Sequence, residues 1–230
     1  MEEEQKKVYM AYLKEVQNNL KKDIENDGFK KSQIKILAYL TRLRQICCHP
    51  GTFIENYTGG SGKLELLKEI LTDALDAGHK ILLFSQFTSM LGIIKKLLEE
   101  ENISYAYLDG SVKAENRRSM VENFNAGPTQ VFLISLKAGG TGLNLTGADV
   151  VIHFDPWWNP AVEDQATDRA YRIGQYNTVQ VFKLIAHGTI EEKIYQLQQR
   201  KKEMINSIIE PGETMLNKLS EMEIKDLFQT

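Results

Sequence analysis

Hydrophobic residues in the first fifty positions recur every three or four residues, which is the spacing of a helix that buries one face. One series is Val8, Tyr12 and Val16, and a second is Ile34, Leu37, Leu40 and Leu43. The polar run Asn26-Asp27-Gly28 falls between the two series. We therefore predict two amphipathic helices over residues 1–50, with a break at Gly28.

After a polar, glycine-containing stretch at 51–60, the pattern changes to short apolar runs separated by segments of helical length. These runs are Lys80–Ser85, Tyr105–Leu108, Val131–Ser135, Val150–Phe154 and Val179–Ile185. Continuous apolar runs suit strands buried on both faces, and strands that alternate with helices predict a parallel sheet. The predicted fold class is α/β, a RecA-like parallel sheet sandwiched by helices.

Beyond the last run, Thr189 and Glu192 have the spacing of a capping box, so a further helix is predicted to begin there. This gives a helical extension over 1–50, a linker over 51–60, the α/β lobe over 61–188 and a helical tail over 189–230.

Charge and composition limit the class of protein. The chain has 28 Lys and Arg against 31 Asp and Glu, a net charge of −3, which excludes a uniformly basic coat but not a local basic groove. Residues 1–50 carry ten basic and seven acidic residues; such a helical charge run either faces solvent or contacts nucleic acid. No stretch reaches the roughly 18 apolar residues of a membrane span, so we expect no membrane partner.

The two cysteines, Cys47 and Cys48, are adjacent and are followed by His49. Structural zinc needs four ligands with characteristic spacing, and the sequence has no second cluster, so we expect no metal site. Adjacent cysteines cannot join distant parts of a fold without strain, which favours a reducing compartment such as the cytoplasm.

A glycine-rich segment follows the run that ends at Ser135. Gly139, Gly140 and Gly142 lie among hydroxyl side chains, a composition that lets backbone N–H groups face an anion. The segment matches neither a Walker A loop nor a dinucleotide fingerprint, and a tight strand-to-helix turn is an equally good interpretation.

The next run leads to Trp157 and Trp158, and then to Asn159 and Pro160. Asn as the cap and Pro as the first helical residue predict a helix start here. The paired tryptophans either pack against neighbouring helices or form a flat surface for nucleic acid or a facing domain.

In the helix that begins there, Gln165, Arg169 and Arg172 have i, i+4, i+7 spacing, so we predict that they share one helix face. Arginine presents a rigid fork of donors that matches phosphate oxygens. Because Asp164 and Asp168 are close in sequence, an ion-paired surface face is the alternative.

The run from Gln165 to Gln175 resembles motif VI of the SWI/SNF-type, superfamily-two DNA translocases. Further segments resemble the family's blocks in the same order: Leu43–Pro50, Ser61–Glu65, Phe84–Gln86, Leu108–Ser111 with Arg117 and Phe124-Asn125, Ser135–Leu145 and Asp155–Pro160. The Walker A loop and Asp-Glu-x-His box of the family's first lobe do not occur here. The resemblance therefore implies a second RecA-like lobe alone, cut from a longer protein.

The resemblance also implies roles for individual residues. ATP binds between the two lobes, with Arg169 and Arg172 as arginine fingers and with Mg²⁺ held mainly by the first lobe. The other ATP-binding residues are then Gln165, Gly140, Gly142 and Asn144. Those directed at the backbone of double-stranded DNA are Ser85, Gln86, Arg117, Ser135, Lys137, Trp157 and Trp158.

The predicted function is the second motor lobe of an ATP-driven double-stranded-DNA translocase, inactive without the N-terminal RecA-like lobe of the same polypeptide. The residues 1–50 and the tail are expected to act as a protrusion and a brace. The expected location is the cytoplasm, at the nucleoid of a bacterium, or the nucleus of a eukaryote. Two alternatives are an RNA helicase lobe, from whose motif VI this chain departs, and a non-catalytic nucleic-acid-binding module.

Overall fold

The structure is a computed structural model that describes residues 1–136, 138, 142–172, 175, 177–205 and 219–229. The chain divides into two compact units, one of Met1–Lys63 with Ile185–Thr230 and the other of Leu64–Leu184. The helices are α1 (Glu3–Asp27), α2 (Phe29–Cys48), α3 (Gly62–Asp76), α4 (Thr88–Glu100), α5 (Ala114–Ala126), α6 (Pro160–Thr167), α7 (Ile190–Ile205) and α8 (Glu221–Leu227). The strands are β1 (Ile81–Ser85), β2 (Tyr105–Leu108), β3 (Val131–Ser135), β4 (Val150–His153) and β5 (Gln180–Lys183).

The five strands form one sheet in the order β2-β3-β1-β4-β5, and every neighbouring pair is parallel. This confirms the predicted α/β class. The central strand β1 is buried along its whole length because β3 and β4 flank it and helices cover its faces. Helix α4 packs against β1 and β3, and α5 packs against β2.

The break between the first two helices is where the sequence predicted it. Gly28 has a φ of 76°, in the left-handed region that glycine tolerates, and its N–H closes α1 on the carbonyl of Ile24. The buried faces differ in part from the predicted ones. Helix α1 buries Tyr9, Leu13, Val16 and Leu20, whereas Ile34 of α2 is 83% exposed.

Buried polar contacts join the segments of the unit formed by Met1–Lys63 and Ile185–Thr230. Gln5 Nε2 donates to the carbonyls of Ile46 and Cys47, and the Lys63 ammonium lies 2.6 Å from the Glu191 carboxylate, with both side chains buried. Cys47 and Cys48 are fully buried, and burial raises the pKa of the Cys47 thiol.

Helix α7 begins at Ile190, as predicted from Thr189 and Glu192. The Thr189 hydroxyl accepts from Glu191 N at 3.2 Å, and Glu192 accepts from Gly188 N at 2.8 Å. A reciprocal capping box opens α8 instead, between Ser220 and Glu223. None of the helices in the described ranges has the length and apolarity needed to cross a membrane.

Candidate functional site

Several of the predicted site residues lie at the carboxyl edge of the sheet. Ser85 ends β1 and Ser135 ends β3, and the two residues are register partners. His153 ends β4 beside Phe84 of β1. Because the strands are parallel, the segments that follow all three strands meet at this edge, where ligands of open α/β sheets bind.

A buried carboxylate fastens two of these segments together. Asp155 is fully buried; its Oδ1 accepts from the Ser85 hydroxyl at 2.5 Å and its Oδ2 from Gln86 N at 3.2 Å. The Ser85 hydroxyl oxygen accepts in turn from Phe87 N at 3.1 Å. The sequence interpretation missed this role of Asp155, although an acidic residue directly after a buried strand is a usable signal.

A second buried carboxylate holds the tryptophan pair. Glu163 Oε1 accepts from Trp157 N at 2.5 Å, and Oε2 lies 2.6 Å from the ammonium of Lys183 on β5. Trp158 is only 6% exposed, while Trp157 is partly buried and packs against the apolar core. Trp158 is therefore mainly a packing residue. Trp157 keeps a larger exposed surface than Trp158, and a ligand could contact it. The sequence pattern did not indicate this role of Glu163.

The start of α6 is as predicted: the Asn159 side chain accepts from Ala161 N at 3.0 Å, and Pro160 is the first helical residue. The prediction that Gln165, Arg169 and Arg172 share one helix face is wrong, because α6 ends at Thr167. Gln165 lies in the helix, and the two arginines lie in the turns that follow.

Contacts outside the helix explain why it ends there. The Thr167 hydroxyl is hydrogen-bonded to His153 Nε2 at 3.0 Å. The Arg169 carbonyl accepts from Leu145 N at 2.9 Å, so it is committed to the glycine-rich segment and not to a further helical turn. Hydrogen bonds between residues three apart, such as that from Arg169 N to the carbonyl of Ala166, replace the four-residue spacing of an α-helix at this point.

The three side chains predicted to face phosphate differ in exposure. Gln165 and Arg172 are exposed, whereas Arg169 is 3% exposed. Among the described residues, no acceptor lies within hydrogen-bonding distance of Arg169 Nε. Burial, with the nearby Arg172 guanidinium, lowers the pKa of Arg169. An arginine remains protonated, so this position holds a buried positive charge with an unused donor.

The described part of the glycine-rich segment lies beside this arginine. Gly142 has a φ of 50°, in the left-handed region, and the carbonyl of Asn144 accepts from Asn125 Nδ2 at 2.9 Å. Gly142 and Asn144 also line a cavity of about 440 Å³ with Arg117 of α5. Two other predicted site residues, Lys137 and Gly140, lie outside the described residues.

His153, the last residue of β4, is buried and uncharged. It stacks on Phe84 with ring centroids 5.5 Å apart and is 1% exposed. Burial, together with the Lys183 ammonium, lowers its pKa to about 4. Its bond to Thr167 therefore involves an uncharged imidazole near neutral pH.

The described residues include no group of three His, Cys, Asp or Glu side chains that could hold a metal ion. At the carboxyl edge, the carboxylates of Asp155 and Glu163 already accept from protein donors. The described part of this chain therefore does not fit Mg²⁺ by itself.

Comparison with known proteins gives consistent matches. The family described as "Helicase conserved C-terminal domain" matches residues 62–174. The mouse protein named "Chromodomain-helicase-DNA-binding protein 1-like" is 40% identical over 221 residues, covering 90% of this chain and 24% of that protein. The chain spans about a fifth of the length of the first curated relatives that it matches.

Solved structures match nearly the whole chain. The Sulfolobus solfataricus SWI2/SNF2 ATPase C-terminal domain is 36% identical with a TM-score of 0.79, covering 99% of this chain and 93% of that one. The Sulfolobus solfataricus SWI2/SNF2 ATPase core in complex with dsDNA is 38% identical with a TM-score of 0.80, covering 99% of this chain and 48% of that one.

Proposed function

Because this chain belongs to the SWI2/SNF2 family of ATPases and corresponds to its C-terminal domain, we propose that it is the second motor lobe of an ATP-dependent double-stranded-DNA translocase. The observation that carries the proposal is Arg169, a buried guanidinium with an unused donor beside the glycine-rich segment. A buried N–H donor without an acceptor is costly, and a phosphate oxygen would supply the acceptor.

On the nucleotide side, Arg169 and Arg172 would act as arginine fingers on ATP bound between this lobe and a first lobe. The backbone of Gly140, Gly142 and Asn144 would face the nucleotide, with Gln165 beside the phosphates. Their support is the bond between the Arg169 carbonyl and Leu145 N, which holds the arginine turn and the glycine-rich segment together. Arginine fingers stabilise the charge that develops on the transferred phosphoryl group.

On the DNA side, Ser85, Gln86, Ser135 and Trp157 would approach the phosphate backbone from the carboxyl edge, joined by Arg117, Lys137 and Trp158. Contacts to phosphate carry no sequence information, which suits a motor that moves along any duplex. A related ATPase core has been solved in complex with dsDNA, which supports a duplex as the partner.

The remaining parts of the proposal concern the whole protein. A first RecA-like lobe of the same polypeptide would supply the Walker A loop and most of the Mg²⁺ ligands. The predicted extension (1–50), linker (51–60), lobe (61–188) and tail (189–230) would act as protrusion, connection, motor lobe and brace. The protein would work in the nucleus of a eukaryote or at the nucleoid in the cytoplasm of a bacterium.

The test is ATP hydrolysis by the full-length protein with and without duplex DNA. We expect duplex DNA to stimulate hydrolysis and Arg172→Ala to lower the stimulated rate by about 10³-fold or more. The matched control is Lys95→Ala, which removes an exposed cation paired with Glu99 across one helical turn. Its rate should stay close to wild type.

Unchanged DNA-stimulated hydrolysis in Arg172→Ala would show that the arginine-finger role is wrong. We also expect the 230-residue chain alone to hydrolyse ATP negligibly, and robust turnover by it would contradict the division of the active site between two lobes. Stimulation by single-stranded RNA in place of duplex DNA would favour an RNA helicase.

A further inference from the structure

Glu163 connects three elements of the lobe through one buried carboxylate. The side chain is 1% exposed and projects from the first turn of α6. One oxygen accepts from the backbone N–H of Trp157, ahead of the helix, and the other contacts the ammonium of Lys183 on β5. The backbone position of Trp157 is therefore set by a residue six positions later in the chain.

The two partners of Glu163, Lys183 and the Trp157 N–H, differ in whether water can replace the carboxylate. Lys183 is 30% exposed, so its ammonium can return to water if the carboxylate is removed. The Trp157 N–H is less accessible to water, because Trp157 packs against the apolar core. An N–H that loses its acceptor away from water is destabilising, so loss of this contact should displace or loosen the segment.

We propose that Glu163 is a positioning residue for the DNA-binding surface: it fixes the backbone of Trp157 so that the tryptophan segment faces the duplex. The inference rests on the proposed function for the DNA contact of Trp157. It assigns Glu163 no contact with DNA or ATP, and it attributes the effect to the reach of the side chain and not to its charge.

Two conservative variants separate reach from charge. Glu163→Gln keeps the length of the side chain and one acceptor oxygen, so it can still accept from Trp157 N while Lys183 becomes solvated. Glu163→Asp keeps the charge but is one methylene shorter, so its carboxylate falls short of Trp157 N. If position is what matters, the Asp variant is impaired and the Gln variant is not.

The chain carries its own probe of this segment, because Trp157 and Trp158 are its only tryptophans. In a Trp158→Phe background, fluorescence excited at wavelengths beyond the absorption of the nine tyrosines reports on Trp157 alone. We expect Glu163→Asp to shift the emission to longer wavelength and to increase quenching by acrylamide. Glu163→Gln should leave both signals near those of the parent.

The second measurement is binding of the 230-residue chain to a fluorescein-labelled DNA duplex, by anisotropy over a range of salt concentrations. Glu163→Asp should weaken binding about tenfold, because the loosened tryptophan segment then has to be ordered when the duplex binds. The slope of log K against log salt should not change, because no phosphate contact is removed. Glu101→Asp, the same change at an exposed acid paired with Lys68, is the matched control and should not alter either measurement.

Each outcome decides something. Equal impairment of the Gln and Asp variants would overturn the inference in favour of a charge effect. A loosened Trp157 with unchanged DNA affinity, or two variants that both match the parent, would overturn it as well. A parent chain that does not bind duplex DNA would contradict the proposed DNA contact itself, and that result is seen before any variant is compared.

Discussion

Two kinds of buried charge lie among the candidate site residues, and they differ in whether the protein provides their hydrogen-bond partners. The acids Asp155 and Glu163 use every carboxylate oxygen to accept from a neighbour in the lobe. Arg169 is almost as deeply buried, yet its Nε meets no acceptor in the part of the chain that the structure describes. The acids accept from donors of the protein itself, whereas the arginine keeps an N–H donor that is available to a ligand.

This contrast separates the two proposed roles of the lobe. A carboxylate with all its acceptors occupied holds backbone segments in place, which is what a surface for a long, uniform polymer such as duplex DNA requires. A buried guanidinium with an unused donor lowers stability in the absence of its partner, and such sites are typical of catalytic positions. Substitutions at the arginine and at the acids test this difference.

The largest effect is expected at the arginine. Arg169→Met should lower DNA-stimulated ATP hydrolysis of the full-length protein by about 10³-fold or more, because the finger is lost. The same change should leave the free energy of unfolding of the 230-residue chain unchanged or higher, since methionine fills similar space without a buried charge. ATPase assays and urea unfolding measure the two quantities. A marked loss of stability would mean that Arg169 is a structural residue, and the contrast with the acids would disappear.

A smaller effect, on stability, is expected at the acids. Asp155→Ala should lower the free energy of unfolding by about 3 kcal/mol, because the Ser85 hydroxyl and Gln86 N–H lose a charged acceptor inside the protein. Urea unfolding monitored by circular dichroism tests this. Glu122→Ala, which removes an exposed acid, is the control and should cost less than about 0.5 kcal/mol. Similar losses for the two variants would show that the buried acid does not hold the segments together.

The smallest effect concerns His153, which joins the arginine turn through an uncharged ring. Its pKa is about 4 in the folded chain and 6.5 ordinarily, so the unfolded chain binds the proton first as pH falls. Stability should therefore fall from pH 6.5 towards pH 4, and the contribution of this residue should be about 2 kcal/mol between pH 7 and pH 5. His153→Gln keeps a side chain of similar reach that does not titrate.

The measurement is urea unfolding of wild type and His153→Gln at pH 7 and pH 5, where other titrating groups cancel in the comparison. The wild type should lose more stability on acidification than the variant. An equal loss in both proteins would show that His153 is not the group that takes up the proton.

The sheet could be predicted from the sequence because the pattern that encodes it is local. Continuous apolar runs placed β1, β2 and β3 with an error of at most one residue at each end, and Gly28 marked the break between the first two helices. Where the buried stripe of a helix depends on its neighbours, the pattern was less reliable: Ile34 fits the helical spacing of α2 and yet is largely exposed.

The site was only partly predictable, because its geometry depends on contacts between residues far apart in the chain. The i, i+4, i+7 spacing assumed a helix through Arg172, and the bonds of Thr167 to His153 and of Arg169 to Leu145 end it earlier. The partners of Asp155 and Glu163 lie on other strands and segments, and no spacing rule indicates them. Residue types indicated the chemistry, whereas contacts between residues far apart in the chain determine which charged side chains already have partners.

The position of β1 in the middle of the sheet has a consequence for synthesis of the chain. Ile81 pairs with Val131 on one side and with Val150 on the other, so the central strand precedes both of its neighbours in the sequence. On the ribosome, the apolar run from Ile81 to Phe84 emerges well before either flanking strand and has to wait for them. Such non-local parallel pairing is slow and leaves nascent apolar surface open to aggregation, which makes chaperone dependence during translation an expected property of this lobe.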